Sequence, residues 1–500
     1  MEWWQSFHDD CASDHGRRAF VQSLPSPQEK CVTMGESKEP DLQRILDKAI
    51  ALHASYADAR YQCFDDELIT VENKELKSYS SRRLSGIGIR VVIEGAVGYA
   101  STSGLSQSNL ERTLQNAIRT AKSIKGQKHV LAETKINKTN VKSPAKIDPA
   151  NVPPEDKVSI VLDANKAGWI NKDVKNAMTM LGLAKDSRLF MSTQGACIEV
   201  ETALVGLAHA SVAKINGTME SVSDMGESRC AGFEFIKSRD WSSFTAGVSK
   251  LAIEAANSGT PPPGTYTVVV DPHILGLVLH EAFGHASEGD VVSSGESVLR
   301  GKLGDKLASD TVTIIDEGTI EGGYFYPFDD EGTKKEKTVV VENGVLKNFL
   351  HSRNTAHELE AKPTGNARAQ DFDNLPIVRQ TNYYLQPRDA EFEEMIEDIE
   401  FGIYVRGKGA GGGEVDPGVG TFTFGVGPSK VIRKGELAET VKGVVISGSI
   451  LDTLKTIDAA GKDLKVITSV FGGCGKDSQR ATVGFGGPHV RVRKMTVGGR

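Results

Sequence analysis

The hydrophobic pattern divides the chain into blocks that alternate between helical and strand periods. After Asp41, "LQRILDKAIALHA" places Leu42, Ile45, Leu46, Ala49 and Ile50 on one face, which predicts an amphipathic helix. "YADARYQCFDDELITVEN" and "SGIGIRVVIEGAVGYAST" read as strands, with Glu94-Gly95 as the turn between two of them. "SNLERTLQNAIRTAKSI" returns to a helical period and closes an N-terminal α+β unit over residues 40–125. Residues 126–153 are rich in Lys and carry Pro, and read as a linker or a long edge segment. A middle α+β unit, 154–260, begins with the helical "PEDKVSIVLDANKAGWI", continues through long alternating runs and ends with the helical "DWSSFTAGVSKLAIEAANSG". The break "GTPPPGT" is the clearest boundary.

Beyond it, residues 265–500 form a C-terminal domain rich in antiparallel strands. "YTVVVDP" is a strand running into a helix start, with Asp271 as N-cap and Pro272 in the first helical position. "TVVVENGVLKNFLHS" holds Asn343-Gly344 between two apolar runs, a strong hairpin signal. "VENKELKSYSSR" at 71–82 echoes "VENGVLKNFLHSR" at 341–353, which reads as shared hairpin chemistry. The fold class expected is α+β. Residues 1–39 are polar, aperiodic and Pro-bearing, and read as a disordered tail.

Composition narrows the picture little: 39 % hydrophobic and 25 % charged is ordinary for a globular protein. A net charge of −7 gives no bulk attraction for nucleic acid. The six cysteines include no C-x-x-C pair, and Cys11 and Cys31 in the tail read as incidental thiols. Sparse cysteine, no signal sequence and no membrane-length apolar run together predict a cytoplasmic protein.

The candidate chemistry lies at "LHEAFGHASEGD", residues 279–290. It has the vocabulary of a zinc peptidase, but His280 and His285 are five apart rather than four. On an ideal α-helix that separates them by about 140°. A π-bulge would bring them together; so would a helix end at Gly284 in a left-handed conformation, which the glycine favours. Glu281 stands where the general base of H-E-x-x-H peptidases stands. His273 is about 10.5 Å of helical rise before His280, too far to share an ion. The candidates for a third ligand are Glu288, Asp290, His351, His357, Cys474 and His489. Cys474, among glycines and beside Lys476, has the setting of a lowered-pKa thiolate. "GCGKD" is not a phosphate loop, because Val470 and Asp477 stand where Gly and Ser or Thr are needed.

"HEAFGHASEGD", "DDEGT", "ENGVLKNFLHSRNTA", "PTGNAR", "GGGEVDPGVGTFTFGV", "GGCGKDSQ" and "MTVGG", in this order, resemble the TldD/PmbA family, in particular its metal-bearing TldD branch. The likeness covers about residues 40–500. It implies a Zn2+-dependent peptidase with His280, His285 and Cys474 as metal ligands and Glu281 as catalytic base. It further implies small unfolded peptides as substrates, and pairing with a metal-free PmbA/TldE-like paralogue or with a second copy. The family's association by name with DNA gyrase is read as indirect, with no direct nucleic-acid or membrane partner. The alternative from another class is a non-catalytic peptide-binding or chaperone-like subunit, which would be expected to lack the ligands.

Overall fold

The computed structural model describes residues 41–126 and 128–499. The expected tail, with Cys11 and Cys31, lies outside the described residues. Helix α1 (Leu42–Ala51) starts where Asp41 accepts the Arg44 backbone N–H at 2.9 Å. It buries Leu42, Ile45, Leu46 and Ala49, but Ile50 lies off that stripe and is 47 % exposed.

Three strands follow: β1 (Tyr56–Glu72), β2 (Glu75–Ile93) and β3 (Ala96–Thr102). Helix α2 (Gln107–Ser123) and α1 cover them, burying Leu110, Leu114 and Ile118 against Ile87, Ile89 and Val91. The next strands are β4 (Lys138–Lys142), β5 (Val174–Ser192), β6 (Cys197–Ile215) and β7 (Thr218–Arg229). Helices α3 (Pro154–Gly168) and α4 (Trp241–Ala256) pack on them, with Val161 and Trp241 in one cluster with Leu181, Leu183, Val205 and Leu207.

The two units expected from the sequence share one sheet. β1 pairs antiparallel with β5 from Asp58↔Ser192 to Glu72↔Met178, giving the order β3-β2-β1-β5-β6, with β4 and β7 both paired to β6. Pairing between strands a hundred residues apart leaves no local mark, so the Lys-rich connection resembles a boundary. That connection is itself partly structured, since β4 lies within it and runs parallel to β6.

The C-terminal region holds two larger sheets. In the nine-stranded sheet, β8 (Gly264–Val270) lies between Val490–Gly499, antiparallel, and Phe401–Val405, parallel. The six-stranded sheet contains β9 (Ile314–Glu317), β10 (Thr338–Glu342) and β11 (Val345–Leu346), then Asn382–Leu385, Gly484–Gly487 and Lys465–Thr468. The β10–β11 turn has positive φ at Asn343 (46°) and Gly344 (80°), as the hairpin signal requires. Asn73 and Lys74 do the same between β1 and β2, so the two echoing segments share a turn type. Helix α5 (Pro272–Val278) packs between the two sheets in one core with Val268, Ile403, Tyr383 and Leu385. Its start is fixed by Asp271, which accepts from the Ile274 N–H at 2.8 Å and from the Gly407 N–H at 2.8 Å. Among the described residues no helix is long and apolar enough to cross a membrane.

Candidate metal centre

Helix α5 runs directly into a π turn, Leu279–Gly284, and then a short 3-10 turn, His285–Ser287. The His285 N–H donates to the His280 carbonyl, five residues back. This widened turn stacks two side chains that an α-helix would splay apart. The sequence favoured the other route, a left-handed Gly284. The structure corrects this: Gly284 keeps right-handed helical angles, φ −64° and ψ −50°. The glycine serves close packing instead, since a Cβ there would collide with the carboxamide of Gln380. That carboxamide donates to the His280 carbonyl at 3.0 Å, so it supports the π turn from outside.

The turn brings His280 and His285 to a ring-centroid separation of 5.1 Å. Cys474 arrives on a two-stranded hairpin, Cys474–Lys476 paired with Gln479–Ala481. One donor atom from each of His280, His285 and Cys474 lies within 4.8 Å of the others. His285 Nε2 is 3.0 Å from Cys474 Sγ. Both ring nitrogens of His280 are buried without a hydrogen-bond partner. An unpaired buried polar atom is costly, so an aimed, unpartnered imidazole is a ligand's signature. Two nitrogens and a sulfur are a zinc-type donor set, and bonds of about 2.0–2.3 Å would set the donors about 3.4–3.6 Å apart. The residues fit such an ion with small adjustments.

The electrostatics agree. Burial would raise the Cys474 pKa, but His280 and His285 outweigh it and bring the thiol down to about 5. The sequence attributed this to Lys476 and the backbone amides of the loop. Instead the Lys476 ammonium goes to Asp290 (2.7 and 2.8 Å), Glu288 (2.9 Å) and the Val378 carbonyl (3.1 Å). Glu288 is fully buried; burial would raise its pKa, but His285 and Lys476 pull it down to about 2. Its carboxylate sits 3.0 Å from His285 Nδ1 and accepts the Gln380 backbone N–H at 3.2 Å.

Glu281 lies at the edge of the cluster, its carboxylate 3.7 Å from His285 Nε2 and its side chain 25 % exposed. The other candidate ligands lie elsewhere. Glu288 and Asp290 are engaged behind His285. His351 is buried near Thr355, and His489 bonds Tyr404 and Asp463. His357 and His273 are not in the donor cluster. Sequence reasoning missed Arg379 and Gln380. Arg379 donates to the carbonyls of Cys474 (2.6 Å) and Gln479 (3.2 Å), anchoring the cysteine hairpin. No spacing signal marks "VRQTN" as a scaffold.

Residues 263–499 match the family model for the PmbA/TldA metallopeptidase C-terminal domain, and 57–121 match that for domain 1. The chain belongs to the TldD/PmbA family. A TldD/PmbA relative from Methanothermobacter thermautotrophicus, named a metalloprotease, is 38 % identical over 89 % of this chain and 95 % of its own length. A second, from Saccharolobus solfataricus, named a zinc metalloprotease TldD homolog, is 28 % identical over 91 % of this chain and 99 % of its own. The crystal structure of TldE from Thermococcus kodakarensis has the same fold, with a TM-score of 0.75 at 17 % identity, covering 92 % of this chain and all of that one.

Proposed function

We propose that this TldD/PmbA chain is a zinc-dependent peptidase of the TldD branch that hydrolyses peptide bonds in small unfolded peptides. The observation that carries the reading is the convergence of His280, His285 and Cys474 beside Glu281. Zinc held there would polarise a scissile carbonyl and make water more acidic. Glu281, partly open to solvent, takes a proton from the attacking water and returns it to the leaving amine. Glu288 keeps the His285 Nδ1 proton in place, leaving Nε2 for the metal.

An extended substrate has a strand to join. Gly412–Asp416 forms an end of the nine-stranded sheet and, among the described residues, pairs only with Thr421–Gly425. It also contacts the π turn. Main-chain pairing there would hold a peptide with little regard to its side chains. Family membership makes a PmbA/TldE-like paralogue the partner we propose, with a second copy of this chain as the other form.

Elemental analysis of wild-type and Cys474→Ser protein tests the site. About one zinc per chain, lost in the variant, is expected. A folded wild type that takes up no zinc would leave a non-catalytic peptide-binding subunit. Glu281→Gln should keep zinc and lose about 10²–10⁴-fold in peptide turnover. Turnover near wild type in a peptide-cleavage assay would remove Glu281 from the mechanism.

A further inference from the structure

We infer that Lys476 is a positioning residue for the metal centre, acting with Glu288 as a clamp that sets His285 and Cys474 together. The inference rests on the zinc reading above. Cys474 and Lys476 are two apart on one short strand, and alternate residues of a strand share a face. That strand straddles the His285 ring. Its thiol lies 3.0 Å from Nε2, and its ammonium lies 2.9 Å from the Glu288 carboxylate that faces Nδ1 at 3.0 Å. The ring is therefore held at both nitrogens by groups on one strand, one directly and one through Glu288.

Simple anchoring of the hairpin does not account for Lys476. Arg379 already holds the hairpin by two carbonyls, and Gln370 and Gln479 tie it again. Lys476 adds a link from the cysteine strand to the carboxylate behind His285. Its cost as a mostly buried cation is offset by four acceptor atoms. Removing the ammonium leaves the buried Glu288 carboxylate beside the partly exposed Asp290 carboxylate with no cation between them, and Glu288 then has no fixed position behind the imidazole. The clamp thus couples two ligands that are 189 residues apart in the chain.

The test compares wild type, Lys476→Met and the near-isosteric Glu288→Gln. Zinc affinity is read by competition with a chromophoric chelator, and thiolate ligation by the sulfur-to-metal charge-transfer band of the cobalt-loaded protein. Far-UV circular dichroism and a metal-free urea midpoint report the fold. Both variants are expected to bind zinc about 10–100-fold more weakly. Lys476→Met should also lose intensity in the cobalt–thiolate band, whereas Glu288→Gln should keep it, because only the first removes the link that sets the Cys474 thiol against the His285 ring. If Lys476→Met does not fold, Glu288→Gln alone decides. Zinc affinity within twofold of wild type in the folded variants, with an unchanged cobalt band, overturns the inference while leaving the metal site intact. A wild type that binds no zinc overturns both.

Discussion

Gly284→Ala sets two well-known effects against each other. In an exposed helix, replacing Gly by Ala stabilises by about 1 kcal/mol. Here the new methyl meets the terminal atoms of Gln380, which is 1 % exposed and has nowhere easy to go. Overpacking of this kind costs about 1–3 kcal/mol. Displacing the carboxamide also breaks its bond to the His280 carbonyl, worth about 1 kcal/mol. The sum is a net loss of about 1–3 kcal/mol, accompanied by weaker zinc binding because the π turn that aligns the histidines loses its outside support. Urea titration of the metal-free protein and chelator competition measure the two quantities. In a Gln380→Ala background the same Ala substitution should be close to neutral or stabilising by up to about 1 kcal/mol, so a double-mutant cycle should return a coupling of about 1–4 kcal/mol. A Gly284→Ala protein about 1 kcal/mol more stable than wild type, with unchanged zinc affinity, would show that helix propensity dominates and that Gln380 does not support the turn.

Other consequences can be measured directly. Removing zinc with a chelator should lower Tm, and re-addition at about 100 times Kd should restore about 2.7 kcal/mol of stability, read by scanning calorimetry. Arg90 donates to Asp58 and to Glu331 (2.6 Å), joining β2 to the C-terminal region through fully buried charges. Arg90→Met should cost about 3–5 kcal/mol in urea unfolding by stranding two carboxylates, and a loss under 1 kcal/mol would show that they are neutral or hydrated. Burial lowers the pKa of His209 to about 4, below its unfolded value near 6.5. The unfolded chain therefore binds the proton first as pH falls, and up to about 3 kcal/mol of stability is lost between pH 6.5 and 4. His209→Gln should flatten that part of the stability–pH curve, and an unchanged slope would place the titration elsewhere.

The motif residues and their donor types were legible because the chemistry constrains residue identity at short range. "HEAFGH" and "GCGK" carry the three donors that the structure brings together, and the Asn343-Gly344 and Glu94-Gly95 pairs name their turns through the positive φ both positions require. What stayed hidden depended on distance in the chain. Nothing in β1 or β5 announces that they pair, so one sheet looked like two units. The choice between a π turn and a left-handed glycine depended on Gln380, a hundred residues away and in a segment without periodicity. The pattern of a helix records which face is buried, but not the neighbour that selects its winding. Lys476 was seen for its charge alone, because its partners Glu288 and Asp290 adjoin it only in space.

The distant third donor also has a meaning in time. Synthesis runs from the N-terminus, and domains fold as they emerge. Both histidines and Glu281 are made well before Cys474, which follows His285 by 189 residues. A half-finished chain therefore holds an incomplete donor set, and Glu281, the proposed general base, has nothing to serve. An enzyme proposed to cut unfolded peptides would in this way be unable to cut its own unfolded, growing self, and its competence would begin only when the Cys474 hairpin joins the two histidines.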